Sequence, residues 1–103
     1  MKLRLFLLLI SLISLNCQST ALEPIGGSTS IYYGVSQQSH VKLIILNNYN
    51  TEVAKVVDKL QDPGAYKITI QHNDYNMVEG IYFIKLYFDH NLSRTLTLIL
   101  ENQ

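Results

Sequence analysis

The sequence predicts an all-β domain carried behind an export signal. Three observations lead there. Apolar and polar residues alternate along several short runs, the period of a strand with one face buried. Asn, Asp, Pro and Gly separate those runs at close intervals. Beyond the first residues, no segment carries an unambiguous helical period.

The chain has 103 residues, enough for one small domain. Its charges balance at eight basic and eight acidic side chains. Lys2 and Arg4 are the only charges among the first 22 residues, so the remainder holds six basic side chains against eight acidic ones. A weakly acidic domain without a Lys/Arg cluster lacks the basic face that phosphate neutralisation needs, and nucleic acid is excluded as a partner. The single Cys, Cys17, excludes an intramolecular disulfide and a Cys-based zinc site.

Met1-Lys2-Leu3-Arg4 is a basic start, and Leu5 to Leu15 is apolar except for Ser11 and Ser14. That is the pattern of a secretory signal peptide, too short for a membrane-spanning helix of roughly 20 apolar residues. Two cleavage readings compete. Ser19-Thr20-Ala21 places small residues at the −3 and −1 positions, giving a signal over residues 1–21 and a soluble domain. Alternatively the signal ends at Asn16, and Cys17 resembles the acylated cysteine of a bacterial lipoprotein. A lone Cys at that boundary favours the lipid anchor. Either way the domain is exported, to the periplasm or beyond the cell if soluble, and to the outer membrane or cell surface if lipidated.

Residues 22–30, with Pro24 and Gly26-Gly27, read as a flexible linker, and residues 31–101 as the domain. Ile31, Tyr33 and Val35 share one face of a first strand, and Val41, Leu43 and Ile45 one face of a second. Asn47-Asn48-Tyr49-Asn50 is a turn, since Asn tolerates a left-handed backbone. Glu52 to Leu60 fits a helical spacing through Val53, Val56, Val57 and Leu60. Three of those four are Val, which favours a bent or bulged strand. Asp62-Pro63-Gly64 is a turn; Tyr66, Ile68 and Ile70 then line one face of the next strand. His72 to Asn76 is a polar loop, Gly80 to Phe88 a nearly continuous apolar strand, Asp89-His90-Asn91 a tight hairpin, and Leu92 to Leu100 a last alternating strand. Six or seven strands without a clear helix make an immunoglobulin-like antiparallel β-sandwich.

Gly80-Ile81-Tyr82, at the head of the long apolar strand, resembles a tyrosine corner, in which the phenol bonds upstream backbone. Further landmarks stand in series: Pro24, Thr29 to Tyr33, Val41 to Ile45, Glu52-Val53-Ala54, Gly64-Ala65-Tyr66, Gly80 to Phe83 and Arg94 to Leu98. Their order and spacing, over about residues 24 to 100, resembles the Ig-like domain of the flagellar hook-capping protein and the C-terminal sorting domains of type IX secretion cargo. The resemblance implies a sandwich fold and a role in envelope or secretion machinery.

No catalytic constellation is visible, and the chain is read as a non-enzyme with no cofactor and no metal site. His40, His72 and His90 are dispersed and read as exposed turn histidines. Calcium binding needs several oxygens in one loop, for which Asn73-Asp74-Tyr75-Asn76 is only a faint candidate. If Tyr82, Ile84, Leu86 and Phe88 face the core, then Phe83 and Tyr87 face out, and Tyr32 and Ile44 are expected to do the same on their strands. Tyr32, Ile44, Phe83 and Tyr87 are therefore the candidate surface for a partner protein of the envelope or secretion machinery. Two other readings stand beside it. One is a sorting module read through its C-terminal strand. The other is a small carbohydrate-binding module stacking sugars on Tyr32, Tyr49, Tyr75 and Tyr87.

Overall fold

The computed structural model describes residues 17–102, with the side chains of residues 17 and 18 outside that description. The signal-peptide reading of residues 1–16 lies outside the described residues. Seven strands follow one another: β1 (Cys17–Pro24), β2 (Ser28–Val35), β3 (Ser39–Asn47), β4 (Glu52–Gln61), β5 (Gly64–Gln71), β6 (Gly80–Phe88) and β7 (Asn91–Glu101). A short 3-10 helix, His72–Tyr75, lies between β5 and β6. The Val-rich segment after the Asn turn is a strand, as its β-branched side chains require.

Two sheets form the sandwich. One has five strands in the order β1-β7-β6-β3-β4, and the other pairs β2 with β5. The Asp62-Pro63-Gly64 turn therefore carries the chain from one sheet to the other rather than closing a hairpin. Strand pairs are antiparallel except β1 with β7, which run parallel from Cys17 beside Arg94 to Pro24 beside Glu101. The hairpin joining β6 to β7 is two residues long, and both Asp89 (φ 49°) and His90 (φ 71°) take the left-handed backbone such a turn needs.

The segment 22–30 is not a flexible linker. Residues 22–24 end β1 and residues 28–30 begin β2, with only a tight turn between them. The Gly27 amide closes that turn on the Pro24 carbonyl at 3.2 Å, and Gly26 takes φ 85°. Pro and Gly mark the turn correctly, but β7 offers an unpaired edge that orders the residues before it.

The core is built from inward side chains of both sheets. Ile31, Tyr33, Val35 and Ile70 meet Val41, Leu43, Ile45, Ile84, Leu98 and Leu100. Antibody-type domains pin their sheets with a disulfide whose second Cys stands two residues after the corner tyrosine. Here that position is Ile84, and burial of aliphatic side chains holds the layers together.

Polar groups close the core at each end. At one end the Tyr33 hydroxyl donates to Gln61 Oε1 at 2.7 Å, and the Tyr33 ring stacks on Tyr66 at 5.4 Å. Burial pushes the Tyr33 phenol above its ordinary 10.0. At the other end His72 is fully buried. Its Nδ1 lies 3.1 Å from the Pro24 carbonyl, which only accepts, so Nδ1 carries a proton. Its Nε2 faces Thr29 Oγ1 at 2.8 Å. The expectation of an exposed turn histidine fails for His72, because the β1–β2 turn folds over it.

Candidate interaction surface

β6 sits inside the five-stranded sheet between β3 and β7, so its alternation sorts side chains cleanly. Tyr82, Ile84 and Leu86 are buried, while Phe83, Lys85 and Tyr87 point outward and are half-buried. The Tyr82 hydroxyl donates to the Val78 carbonyl at 2.9 Å and accepts the Val78 N–H at 3.0 Å. This bond to backbone four residues upstream, with Gly80 at φ 149° before it, fixes the entry of β6.

The four residues proposed from sequence do not form one surface. Phe83 and Tyr87 share the outward face of the larger sheet, where Lys42 Nζ stands 5.0 Å from the Tyr87 ring centre. Tyr32 lies on the smaller sheet, exposed, with Lys67 Nζ 5.6 Å from its ring centre. Ile44 is 8% exposed and does not belong to an open surface. Two effects cover it. β3 is flanked on both sides, and register sets Ile44 between Lys55 and Lys85, whose long stems cover apolar surface. A bulge after Leu43 also breaks the alternation, leaving four buried residues in a row from Leu43 to Leu46.

Sequence reasoning missed Leu22, Ile81 and Val78, all exposed, and named the exposed Tyr49 only as a sugar-stacking platform. Ile81 was legible, since it alternates with Phe83 on the same strand. Leu22 was hidden inside a supposed linker, and register brings it beside Ile99, which pairs with Ile81.

The tyrosines of the carbohydrate reading are scattered. Tyr32 and Tyr87 lie on different sheets, Tyr49 on the β3–β4 turn, and Tyr75 half-buried against the core. The Asn73–Asn76 segment is the 3-10 helix and its left-handed cap at Asn76.

His40 and His90 stack at 5.9 Å between ring centres. His40 Nε2 meets Asp58 Oδ1 at 2.5 Å, and Lys55 Nζ lies 3.4 Å from the other carboxylate oxygen. The His40 hydrogen bond holds the Asp58 carboxyl below its ordinary 3.8. Asp89 Oδ1 accepts the His40 backbone N–H at 2.8 Å, so the cluster ties β3, β4 and the β6–β7 turn together. His72 lies apart from this cluster, at the opposite end of the core. Among the described residues no group of three or more His, Cys, Asp or Glu side chains converges as a metal site. No helix among them is long and apolar enough to cross a membrane.

Among solved structures the chain is similar to a protein from Bacillus anthracis strain Ames, with 11% identity over 93% of this chain and 91% of that one, at a TM-score of 0.54. It is also similar to the extracellular domain of mouse leukocyte-associated immunoglobulin-like receptor 1, seen as a strand-swapped dimer, with 10% identity over 82% of this chain and 81% of that one, at a TM-score of 0.51. The fold is immunoglobulin-like. No protein-family model matches this Ig-like chain, and no curated protein matches it. The Ig-like part of the resemblance read from sequence is thereby supported, while membership of the hook-capping or sorting-domain family has no support from these comparisons.

Proposed function

We propose that the chain is an exported, non-enzymatic Ig-like module, tethered to the envelope through Cys17 and acting by protein–protein contact. The observation that carries the contact reading is the open outer face of the larger sheet, where Leu22 on β1 and Ile81, Phe83 and Tyr87 on β6 flank β7 without a covering layer among the described residues. Ig-like folds host many unrelated sites, so the reading rests on this surface and not on the fold.

The tether reading rests on register. Among the described residues β1 runs beside β7 from Cys17 to Pro24. Cleavage before Cys17 keeps all eight of these residues. Cleavage before Leu22 leaves three of the eight and uncovers the edge of β7 from Arg94 to Leu98. Lipidation at Cys17 would also seat the β6–β7 hairpin end of the sandwich next to the bilayer, with no spacer.

Mass spectrometry of the protein purified from its own cells tests the tether. An acylated Cys17 terminus is expected, and an N-terminus at Leu22 overturns it. Affinity purification with Phe83→Asp and Tyr87→Asp tests the contact. Loss of the partners that the wild type retains is expected, and unchanged partners overturn the face. A hydrolytic activity lost on His40→Ala or His72→Ala would defeat the non-enzymatic reading.

A further inference from the structure

All four glutamates of the chain stand at one end of the sandwich. Glu23 closes β1 and Glu101 closes β7, with the Ile25 amide bonded to the Glu101 carbonyl at 3.1 Å. Glu52 opens β4 opposite Leu46, and Glu79 directly precedes β6. Asp74 of the 3-10 helix adds a fifth carboxylate at this end. The basic residues among the described ones lie elsewhere. Arg94 pairs with Cys17 at the opposite end, Lys59 with Val41, and Lys42 with Asp58, while Lys55, Lys67 and Lys85 occupy strand middles. The ion pairs among the described residues converge on Asp58, not on these glutamates.

The same end collects exposed apolar side chains. Of eight large exposed hydrophobics among the described residues, only Tyr32 and Leu60 lie away from it. Tyr49 is 85% exposed and Val78 67%. Between them runs a groove of about 410 Å³, lined by Asn47, Tyr49, Val78, Glu79, Ile81 and Tyr82. Single exposed apolar residues are ordinary, but an apolar groove with Glu79 in its wall, at the end that holds all four glutamates, has the anatomy of an interface.

Charge decides the occupant. An anionic bilayer surface is repelled by the carboxylates. A second copy docking end to end on a two-fold axis places the same glutamates against each other. A polypeptide with apolar side chains and flanking Lys or Arg satisfies both features. We propose that this end is the docking site for a basic, apolar segment of another protein, with one of its side chains in the Tyr49–Ile81 groove and its cations facing Glu52 and Glu79. The inference deepens the contact reading and rests on it. Tethering at Cys17 would hold this end roughly 25 Å from the bilayer, the length of β1 at about 3.3 Å per residue.

The test is amide NMR on the processed protein from cells, titrated with a synthetic peptide of alternating Leu and Lys and with its Leu–Glu counterpart. The Leu–Lys peptide is expected to shift Tyr49, Val78, Glu79 and Ile81 saturably, and the Leu–Glu peptide to leave them unmoved. Combining Glu52→Lys with Glu79→Lys should weaken binding about tenfold, while Asp62→Lys at the other end should change nothing. Both variants alter exposed residues, and an unchanged spectrum elsewhere shows that they fold. Shifts centred elsewhere, equal binding of both peptides, or association with anionic vesicles or with itself through this end overturns the proposal. A partner lost on Phe83→Asp yet indifferent to the glutamate reversals overturns it too, while leaving the contact reading intact.

Discussion

His72 and Thr29, 43 residues apart in sequence, meet at 2.8 Å inside the core. The bond joins the start of β2 to the loop after β5, and through Nδ1 the same ring holds the Pro24 carbonyl at the end of β1. One side chain thus ties the end of β1, in the larger sheet, to the end of the β2–β5 ladder, where Ser28 pairs with Gln71.

Removing the Thr29 hydroxyl leaves His72 Nε2 buried without a partner. Thr29→Val is expected to lower stability by about 1–3 kcal/mol, read by urea unfolding at unchanged m-value. Ser30→Val removes an exposed hydroxyl that bonds Thr69, and is expected to change stability by less than about 0.5 kcal/mol. Equal effects of the two substitutions would contradict the buried clamp.

Tyr82→Phe deletes both bonds to Val78 while keeping the buried ring. A loss of about 1–2 kcal/mol is expected, because two part-buried backbone groups lose their partner. Hydrogen exchange at the Val78 amide should accelerate in the variant. An unchanged exchange rate would show that the phenol does not hold this backbone.

Asp58 gives acid conditions a local readout. Its carboxyl is held below 3.8 in the folded chain by the His40 hydrogen bond. A depressed carboxyl stabilises the fold above its unfolded value and stops doing so as pH falls through the folded one. The contribution is therefore complete above about 3.8 and disappears below it. In His40→Gln the Asp58 titration, followed by carboxyl-carbon NMR, should move back toward 3.8. A titration that stays low would assign the shift to Lys55 instead.

A chain beginning at Leu22 tests what β1 does. Most of the β7 edge is then open, with unpaired backbone groups free to take a strand from another molecule. Concentration-dependent association in sedimentation velocity is expected for that chain and not for one beginning at Cys17. Monomers in both cases would show that β1 is dispensable as an edge cover.

Local chemistry alone wrote much of this architecture into the sequence. The alternation of Ile31, Tyr33 and Val35, or of Val41, Leu43 and Ile45, depends only on successive side chains pointing to opposite faces, and all six are buried. Turn positions were equally local, set by Asn50, Asp62-Pro63-Gly64 and the Asp89-His90 pair. Tertiary structure decided what covers each outward side chain. Ile44 and Phe83 look alike by period, yet Ile44 is closed over between two flanking strands and their lysines. His72 looks like a loop residue until the β1–β2 turn folds over it. Leu22 becomes part of a sheet only because β7 has an edge to fill, and the four glutamates become one acidic rim only when five strand ends are brought together. Side-chain direction is a property of neighbouring bonds, whereas coverage and charge clustering belong to partners dozens of residues away.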